Sequence, residues 1–407
     1  AVLASLVSLV TSAPAQVTCP HLAVMACTTP AATDSKQGAW SRFVSGGSTV
    51  APHDDFEASV DHIDSNLSDT SHASSLSFGR RPKALHHNFN VADVQRCGLS
   101  HFAMVRTIQG ASRNRSKVHH MVDTTTGASV AVKQMPNDWI CECHAVFSTQ
   151  YPEETKRPWV DIGCTAFLTS VSYPYVCPLL GVFRDEETTG VVSTLATEGD
   201  LFLWAKGCKC EPGPMREAAV LPLVNQMFDA VRILHDLGIV HRDISAENLL
   251  VTRQGPDGAP RVQLVDFSTA TISRFAPDGD RGKPTHQAPE AHAGDPFDGF
   301  LADAFATGVV LYGLLVLEYP WGSTKPGACK AFEFMKANGF RALVARRKCF
   351  KQEIKVAQCL SEPVMQLLEG LLAISPSARL TLGERSCFEG DDQRSVWQEP
   401  WVQAVQP

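Results

Sequence analysis

Apolar residues recur at helical spacing in the second half of the chain. Seven of them fall on one face of a helix: Val220, Leu223, Val224, Met227, Phe228, Val231 and Leu234. This spacing predicts a helix with one buried face. A second stretch, residues 304–317, contains no charged side chain and is too short to span a bilayer, so it predicts another buried helix.

The first half of the chain shows the shorter period that is typical of β-strands. Residues 102–108 and 118–121 alternate well enough to predict two strands, and residues 176–183 and 191–195 predict two more. Upstream, residues 16–95 are rich in Ser, Ala, Asp, His and Thr and keep neither period. We expect this upstream segment to be disordered or loosely packed, either as a linker or as a regulatory extension.

Composition narrows the classes of function. The chain has 407 residues, a net charge of −7 and no basic run, so neither a nucleic-acid surface nor an anionic-membrane surface is expected. The 13 cysteines are odd in number and scattered, which indicates free thiols and a cytoplasmic location. The alternative is the secretory pathway, because residues 1–15 are apolar and end in Ala13-Pro14-Ala15, like a signal peptide.

The candidate chemistry begins with a loop between two apolar segments. Asp243 follows His-Arg directly, and Asn248 follows Asp243 by five positions. Phosphoryl transfer needs a carboxylate facing the substrate hydroxyl and, a few residues on, an amide oxygen that turns back to a magnesium ion. Residues 239–250 therefore resemble the catalytic loop of the eukaryotic protein kinases, with Asp243 as the base and Asn248 as a metal ligand.

Three further motifs follow the order of that family. Lys133 ends a Val-Ala-Val-Lys sequence and resembles the lysine that pairs with the α- and β-phosphates. Asp266 opens an Asp-Phe-Ser sequence and resembles a magnesium ligand, and residues 288–290 resemble the Ala-Pro-Glu that ends the activation segment. The chain is thus identified as a member of the eukaryotic protein kinase superfamily, with a general similarity to the calcium/calmodulin-dependent group.

The resemblance implies an α+β, bilobal fold. A small antiparallel sheet with one helix would occupy residues 101–195, and a larger, mainly helical lobe would occupy residues 196–397. Residues 1–100 would then be an extension and residues 398–407 a tail. In the large lobe the resemblance also implies structural roles for three residues. Asp303 would cap the backbone of the catalytic loop, and Glu290 would form a buried pair with Arg379.

The resemblance further implies a site for ATP and Mg²⁺. Its nucleotide-binding residues would be Gly110, Val118, Ala131, Lys133, Thr194, Ala196, Asp200 and Leu250, with Ser193 as the gatekeeper. The turn that covers the phosphates has one glycine, Gly110, where the family has three, and it carries Arg113 and Arg115. These arginines either supply charge to the phosphates or fold into the pocket and block it.

The acid that should pair with the phosphate-binding lysine is not obvious. Residues 159–168 resemble the helix that carries this acid in the family, but the usual glutamate position falls on Cys164. Asp161 lies one turn earlier on the same helix face. Glu153 and Glu154, which precede the helix, are rival candidates.

Two departures from the family lie near the γ-phosphate. Ser245 stands where Ser/Thr kinases have a lysine, and Lys283 stands where they have a threonine. Because those two residues touch each other in the family, we expect Lys283 to supply the cation that position 245 lacks and to act as a catalytic residue.

The activation segment is the third departure. Residues 274–284 contain no Ser, Thr or Tyr, so the usual site of activating phosphorylation is absent. Asp278 and Asp280 flank that position, and we expect them to pair with Arg242 in place of a phosphate. The sequence therefore predicts activity that does not depend on an upstream kinase.

Together these residues predict a Ser/Thr protein kinase that uses ATP and acts on a protein substrate. The alternative is a pseudokinase, a binding or scaffold module in which Arg113 or Arg115 fills the nucleotide site. Retention of Lys133, Asp243 and Asp266 favours the enzyme. The sequence does not predict the oligomeric state.

Overall fold

The computed structural model describes residues 81–96, 99–110, 115–253, 258–276, 281–349, 353–385 and 394–404. The chain divides into two units, residues 1–72 and residues 73–407, and all described residues belong to the second. Several predictions fall outside the described residues, namely those on residues 1–80, Arg113, Asp278 and Asp280.

The small lobe consists of a six-stranded sheet and two helices. Its strands are β1 (Gln95–Arg96), β2 (Phe102–Gln109), β3 (Lys117–Asp123), β4 (Ser129–Pro136), β5 (Leu179–Arg184) and β6 (Thr188–Thr194), and its helices are α1 (His144–Gln150) and α2 (Pro158–Ser170). The strand order is β1-β5-β6-β4-β3-β2. All neighbouring pairs are antiparallel except β1 with β5. The four predicted strands and the predicted helix correspond to β2, β3, β5, β6 and α2.

The alternation of side chains along β4 explains how the sheet presents Lys133. Val130 and Val132 point into the core and are at most 2% exposed, so the intervening residues lie on the opposite face. On that face Lys133 lies opposite Val118 of β3, and Ala131 lies opposite Ser193 of β6.

The large lobe is mainly helical. Its helices are α3 (Leu201–Gly207), α4 (Pro214–Asp236), α5 (Gly299–Val316), α6 (Lys330–Asn338), α7 (Phe340–Arg346), α8 (Val356–Cys359), α9 (Glu362–Leu371) and α10 (Pro400–Gln403). Two short hairpins complete it, β7 (Leu249–Arg253) with β8 (Pro260–Leu264), and β9 (Phe275–Ala276) with β10 (Phe297–Asp298). This is the bilobal α+β architecture that the resemblance implied.

Helices α4 and α5 form the centre of the large lobe. All seven apolar residues of the predicted helix face lie on α4 and are at most 1% exposed, as the spacing predicted. Among the described residues, α5 alone is long and apolar enough to cross a membrane, yet 94% of that stretch is buried inside the lobe. Its apolar character is therefore accounted for by packing against other helices.

Ordered structure begins upstream of the predicted domain boundary at residue 101. Residues Leu85–Asn88 form a 3-10 turn that packs on α2, where Gly163 faces the turn. A Cβ at Gly163 would lie 2.2 Å from the carbonyl oxygen of Leu85, so this close approach requires glycine. At the other end, Trp401 of α10 is 6% exposed, so packed residues also continue past residue 397.

Candidate active site

The loop that carries Asp243 is held from below by Asp303 of α5. The Asp303 carboxylate accepts hydrogen bonds from the backbone N–H of His241 at 2.8 Å and of Arg242 at 2.9 Å. Arg242 has a left-handed backbone, with φ of 68°. Such a conformation is costly for a side chain this large and persists only where neighbouring bonds fix it. Asp303 thus performs the capping role expected from the sequence.

Asp243 is buried and has two differently placed oxygens. It is 5% exposed, and its Oδ2 accepts a hydrogen bond from Lys156 Nζ at 2.6 Å. Its Oδ1 has no hydrogen-bond partner within the described part of the chain. Gly282 of the activation segment lies beside that oxygen, since a Cβ on this glycine would be 3.2 Å from Oδ1. One oxygen is therefore paired with a cation, while the other is a buried acceptor whose hydrogen-bonding capacity is unused among the described residues.

Asn248 is fixed by two bonds along the same loop. Its side-chain Nδ2 donates to the carbonyl oxygen of Asp243 at 2.8 Å, and its own carbonyl accepts from Val265 N at 3.0 Å. This orientation leaves the side-chain oxygen as the ligand atom. Asn248 and Asp266 would together supply one amide oxygen and one carboxylate, a small set of hard ligands that suits Mg²⁺ bound partly by phosphates and water.

Asp266 lies among three donors. Its Oδ2 accepts from Lys156 Nζ at 2.8 Å, its Oδ1 accepts from Ser268 Oγ at 2.6 Å, and Lys133 Nζ lies 3.6 Å from Oδ1. Burial acts to raise the pKa of this carboxyl, but the two ammonium groups and the hydrogen bonds hold the pKa of Asp266 well below its usual range. The group is therefore an anion ready to bind a cation.

Lys133 pairs with Asp161 of α2. The Lys133 Nζ donates to Asp161 Oδ2 at 2.6 Å, and the other oxygen of Asp161 accepts from Phe267 N at 2.9 Å. Burial acts to lower the pKa of Lys133, but the carboxylates of Asp161 and Asp266 raise it above its ordinary value. Of the three acids considered from the sequence, Asp161 is thus the partner of the lysine. Glu154 instead accepts from the backbone N–H of Lys156 at 3.2 Å.

Helix α2 packs on the turn Phe267–Thr269, which in turn contacts the catalytic loop. Leu168 of α2 is fully buried, and the ring of Phe267 lies 5.2 Å from the ring of His241. The backbone N–H of Arg157, just before α2, donates to the carbonyl oxygen of Ser268 at 3.1 Å. These contacts keep α2 close enough for its short aspartate to reach Lys133.

The residues that the sequence predicts to bind the nucleotide lie on strands of the small lobe and in the first part of the large lobe. Gly110 follows β2, Val118 lies on β3, Ala131 on β4, Thr194 ends β6, Ala196 follows it, and Leu250 lies on β7. Asp200 pairs with Leu250 in an isolated bridge, and its Oδ1 caps α3 by accepting from Leu203 N at 2.7 Å. One oxygen of Asp200 is therefore already used in capping.

Arg115 does not lie in the cleft. Its Nη1 is 4.0 Å from Asp138 Oδ2, and its side chain is 61% exposed. The position of Arg115 therefore does not support the idea that this residue blocks the nucleotide pocket.

Lys283 reaches Ser245, as the compensating substitutions suggested. Its Nζ donates to Ser245 Oγ at 2.8 Å and to Glu247 Oε2 at 2.7 Å. Burial acts to raise the pKa of Glu247, but Lys283 holds that pKa below its ordinary value. Lys283 thus lies beside the catalytic loop with its charge offset by a carboxylate. The expected pair of Glu290 with Arg379 is present, with Nη2 2.9 Å from Oε2.

Sequence reasoning missed Lys156. This residue lies in the segment between α1 and α2, where it belongs to no recognisable motif. Its contacts with Asp243 and Asp266 join residues that are 87 and 110 positions away. Only the folded structure brings these groups together.

Comparisons with known proteins indicate the same family as the motifs of the site. The family model described as "Protein kinase domain" matches residues 112–402. The chain is 26% identical over 274 residues to CBL-interacting serine/threonine-protein kinase 17 of Arabidopsis thaliana, covering 66% of this chain and 55% of that protein. It is 30% identical over 210 residues to serine/threonine-protein kinase SAPK5 of Oryza sativa subsp. japonica, covering 50% of this chain and 52% of that protein. The matches thus span little more than half the length of these relatives.

Proposed function

Since the chain belongs to the protein kinase domain family, we propose that it transfers the γ-phosphoryl group of ATP to Ser or Thr hydroxyls of protein substrates. The observation that carries this proposal is the assembled pair of Lys133 with Asp161, whose second oxygen binds the backbone of Phe267 beside Asp266. A single acid thereby couples the phosphate-binding lysine to the metal-binding motif. The relatives are Ser/Thr kinases by name, which supports Ser/Thr specificity.

Each residue has a definite role in the proposed reaction. Asp243 orients the substrate hydroxyl through Oδ1 and accepts its proton, while Lys133 orients the α- and β-phosphates. Asn248 and Asp266 would hold Mg²⁺, which supplies charge neutralisation at the phosphates when bound. Two ammonium groups, those of Lys133 and Lys156, face the carboxylates of Asp161, Asp243 and Asp266. One net negative charge therefore remains to attract the Mg²⁺ ion.

We propose that activity does not require phosphorylation of the activation segment. The proposal is supported by contacts of two described residues of this segment. Arg274 forms an ion pair with Asp298 at 2.7 Å, and Arg281 donates to the carbonyl oxygen of Thr155 at 3.1 Å. The pairing of Asp278 and Asp280 with Arg242 stays a prediction. Treatment with a phosphatase should leave turnover unchanged; a loss of activity that maps to residues 270–290 would contradict the proposal.

A cytoplasmic location is also proposed. It is supported by the cysteines within the described ranges, which are all free thiols. Mass spectrometry of alkylated protein isolated from cells would test this, since a secreted protein should carry disulfides.

The decisive experiment is transfer of labelled phosphate from MgATP to a mixed library of Ser, Thr and Tyr peptides. The matched control is Asp243→Asn, which keeps the side-chain shape but cannot accept a proton. Transfer to Ser and Thr peptides that disappears in this variant is the expected result. Absence of transfer, together with absence of thermal stabilisation by MgATP, would instead indicate a pseudokinase.

A further inference from the structure

Lys156 places a positive charge at the point where base and metal ligand meet. Its Nζ lies 2.6 Å from Asp243 Oδ2 and 2.8 Å from Asp266 Oδ2, so it bridges the two carboxylates. Lys156 is thus a fixed cation between the two functional groups of the site.

The backbone around Lys156 is anchored on both sides. The carbonyl oxygen of Thr155 accepts from Arg281 Nη1 at 3.1 Å, and the N–H of Arg157 donates to the carbonyl of Ser268 at 3.1 Å. One anchor lies at the start of the activation segment, and the other lies in its second half. A lysine on a surface loop normally samples many rotamers, whereas these bonds fix the origin of this side chain and so favour one position for its ammonium.

The other two lysines near the site, Lys133 and Lys283, have different partners. Ser245 is fully buried and carries no charge. Lys283 contacts Ser245 and Glu247, and Lys133 pairs with Asp161. In the described part of the chain, Lys156 is therefore the lysine that contacts Asp243 itself.

We propose that Lys156 is the residue that binds the γ-phosphate of ATP between Asp243 and Asp266, an inference that rests on the proposed function. The substrate hydroxyl must meet Asp243, and the metal-bound phosphate must meet Asp266, so the transferred group passes between these two side chains. The ammonium already lies there. On nucleotide binding it exchanges a carboxylate oxygen for a γ-phosphate oxygen, keeping a charge-assisted hydrogen bond throughout. Lys156 would thereby make the γ-phosphate contact that the sequence led us to expect from Lys283, because Lys283 Nζ is bound by Ser245 and Glu247 instead.

The test compares affinities for MgADP and for the magnesium complex of a non-hydrolysable ATP analogue, measured by calorimetry. Wild-type protein should bind the analogue more tightly than ADP. Lys156→Met should lose about tenfold in affinity for the analogue, the equivalent of one charge-assisted hydrogen bond, with little change for ADP. Its kcat should fall by about 10²-fold, as for loss of one charge-stabilising donor. Lys156→Arg, which keeps the charge, should recover part of both losses.

The control is Lys336→Met, which removes an exposed lysine at the end of α6 and should behave as wild type. Equal losses for ADP and the analogue would overturn the proposal, because a purely structural role affects both ligands. Tighter binding by Lys156→Met would also overturn it and show that Lys156 competes with Mg²⁺. Wild-type protein that binds neither nucleotide would overturn the proposed function itself, and this inference with it.

Discussion

Raising the pH from 6 to 9.5 should destabilise this fold by about 3 kcal/mol through one buried histidine. His235, in the last turn of α4, lies between two acids: its Nε2 is 3.0 Å from Asp303 Oδ2, and its Nδ1 is 2.6 Å from Glu384 Oε1. The ring also stacks on Phe300 with centroids 4.1 Å apart. Burial acts to lower the pKa of His235, but the hydrogen bonds and charges of the two acids raise it to about 9.

The sign and the size follow from proton linkage. An unfolded histidine has a pKa of about 6.5, so the folded state binds the proton more tightly by about 2.5 pKa units. At about 1.4 kcal/mol per unit this corresponds to roughly 3 kcal/mol. The contribution is fully present below pH 6.5 and is lost as the pH rises through about 9, because the side chain is then a neutral imidazole in both states.

The assay is urea unfolding at pH 6, 7.5 and 9.5, for wild type and for His235→Gln, which does not titrate. The difference in unfolding free energy between the two proteins should shrink by about 3 kcal/mol over this range. Asp303 also holds the backbone of His241 and Arg242. Loss of the proton from His235 should therefore also destabilise the conformation of the catalytic loop. A difference that stays constant with pH would refute the assignment of a protonated His235.

Two further predictions concern α2. Asp161→Asn should lower kcat by about 10²-fold while the protein remains folded, because Lys133 loses its nearest carboxylate but keeps Asp266 at 3.6 Å. Single-turnover kinetics would measure this loss, and an unchanged rate would contradict the role of Asp161. Gly163→Ala should lower the free energy of unfolding by about 1–3 kcal/mol, because the added Cβ would meet the carbonyl oxygen of Leu85. Thermal unfolding would detect this loss of stability. A neutral effect would show that the upstream turn is not tightly packed on the helix.

Much of the fold was predictable from local spacing. The apolar positions of α4 were assigned correctly because one helix face must be buried, whatever it packs against. Strands β2, β3, β5 and β6 were predicted from their short period, whereas Lys133 was identified from its Val-Ala-Val-Lys motif. In contrast, the ordered turn at residues 85–88 was missed, because its packing on α2 depends on a glycine 75 residues or more downstream.

The sequence by itself determined the family, the two lobes and the identity of Asp243, Asn248 and Asp266 as candidates, because each rests on residues close together in the chain. The tertiary structure decided which acid pairs with Lys133 and brought Lys156 between the catalytic carboxylates. The physical reason is that local spacing fixes which side of an element is apolar. The distance between charges on different elements depends instead on how those elements dock, and such pairs leave no periodic signal in the sequence.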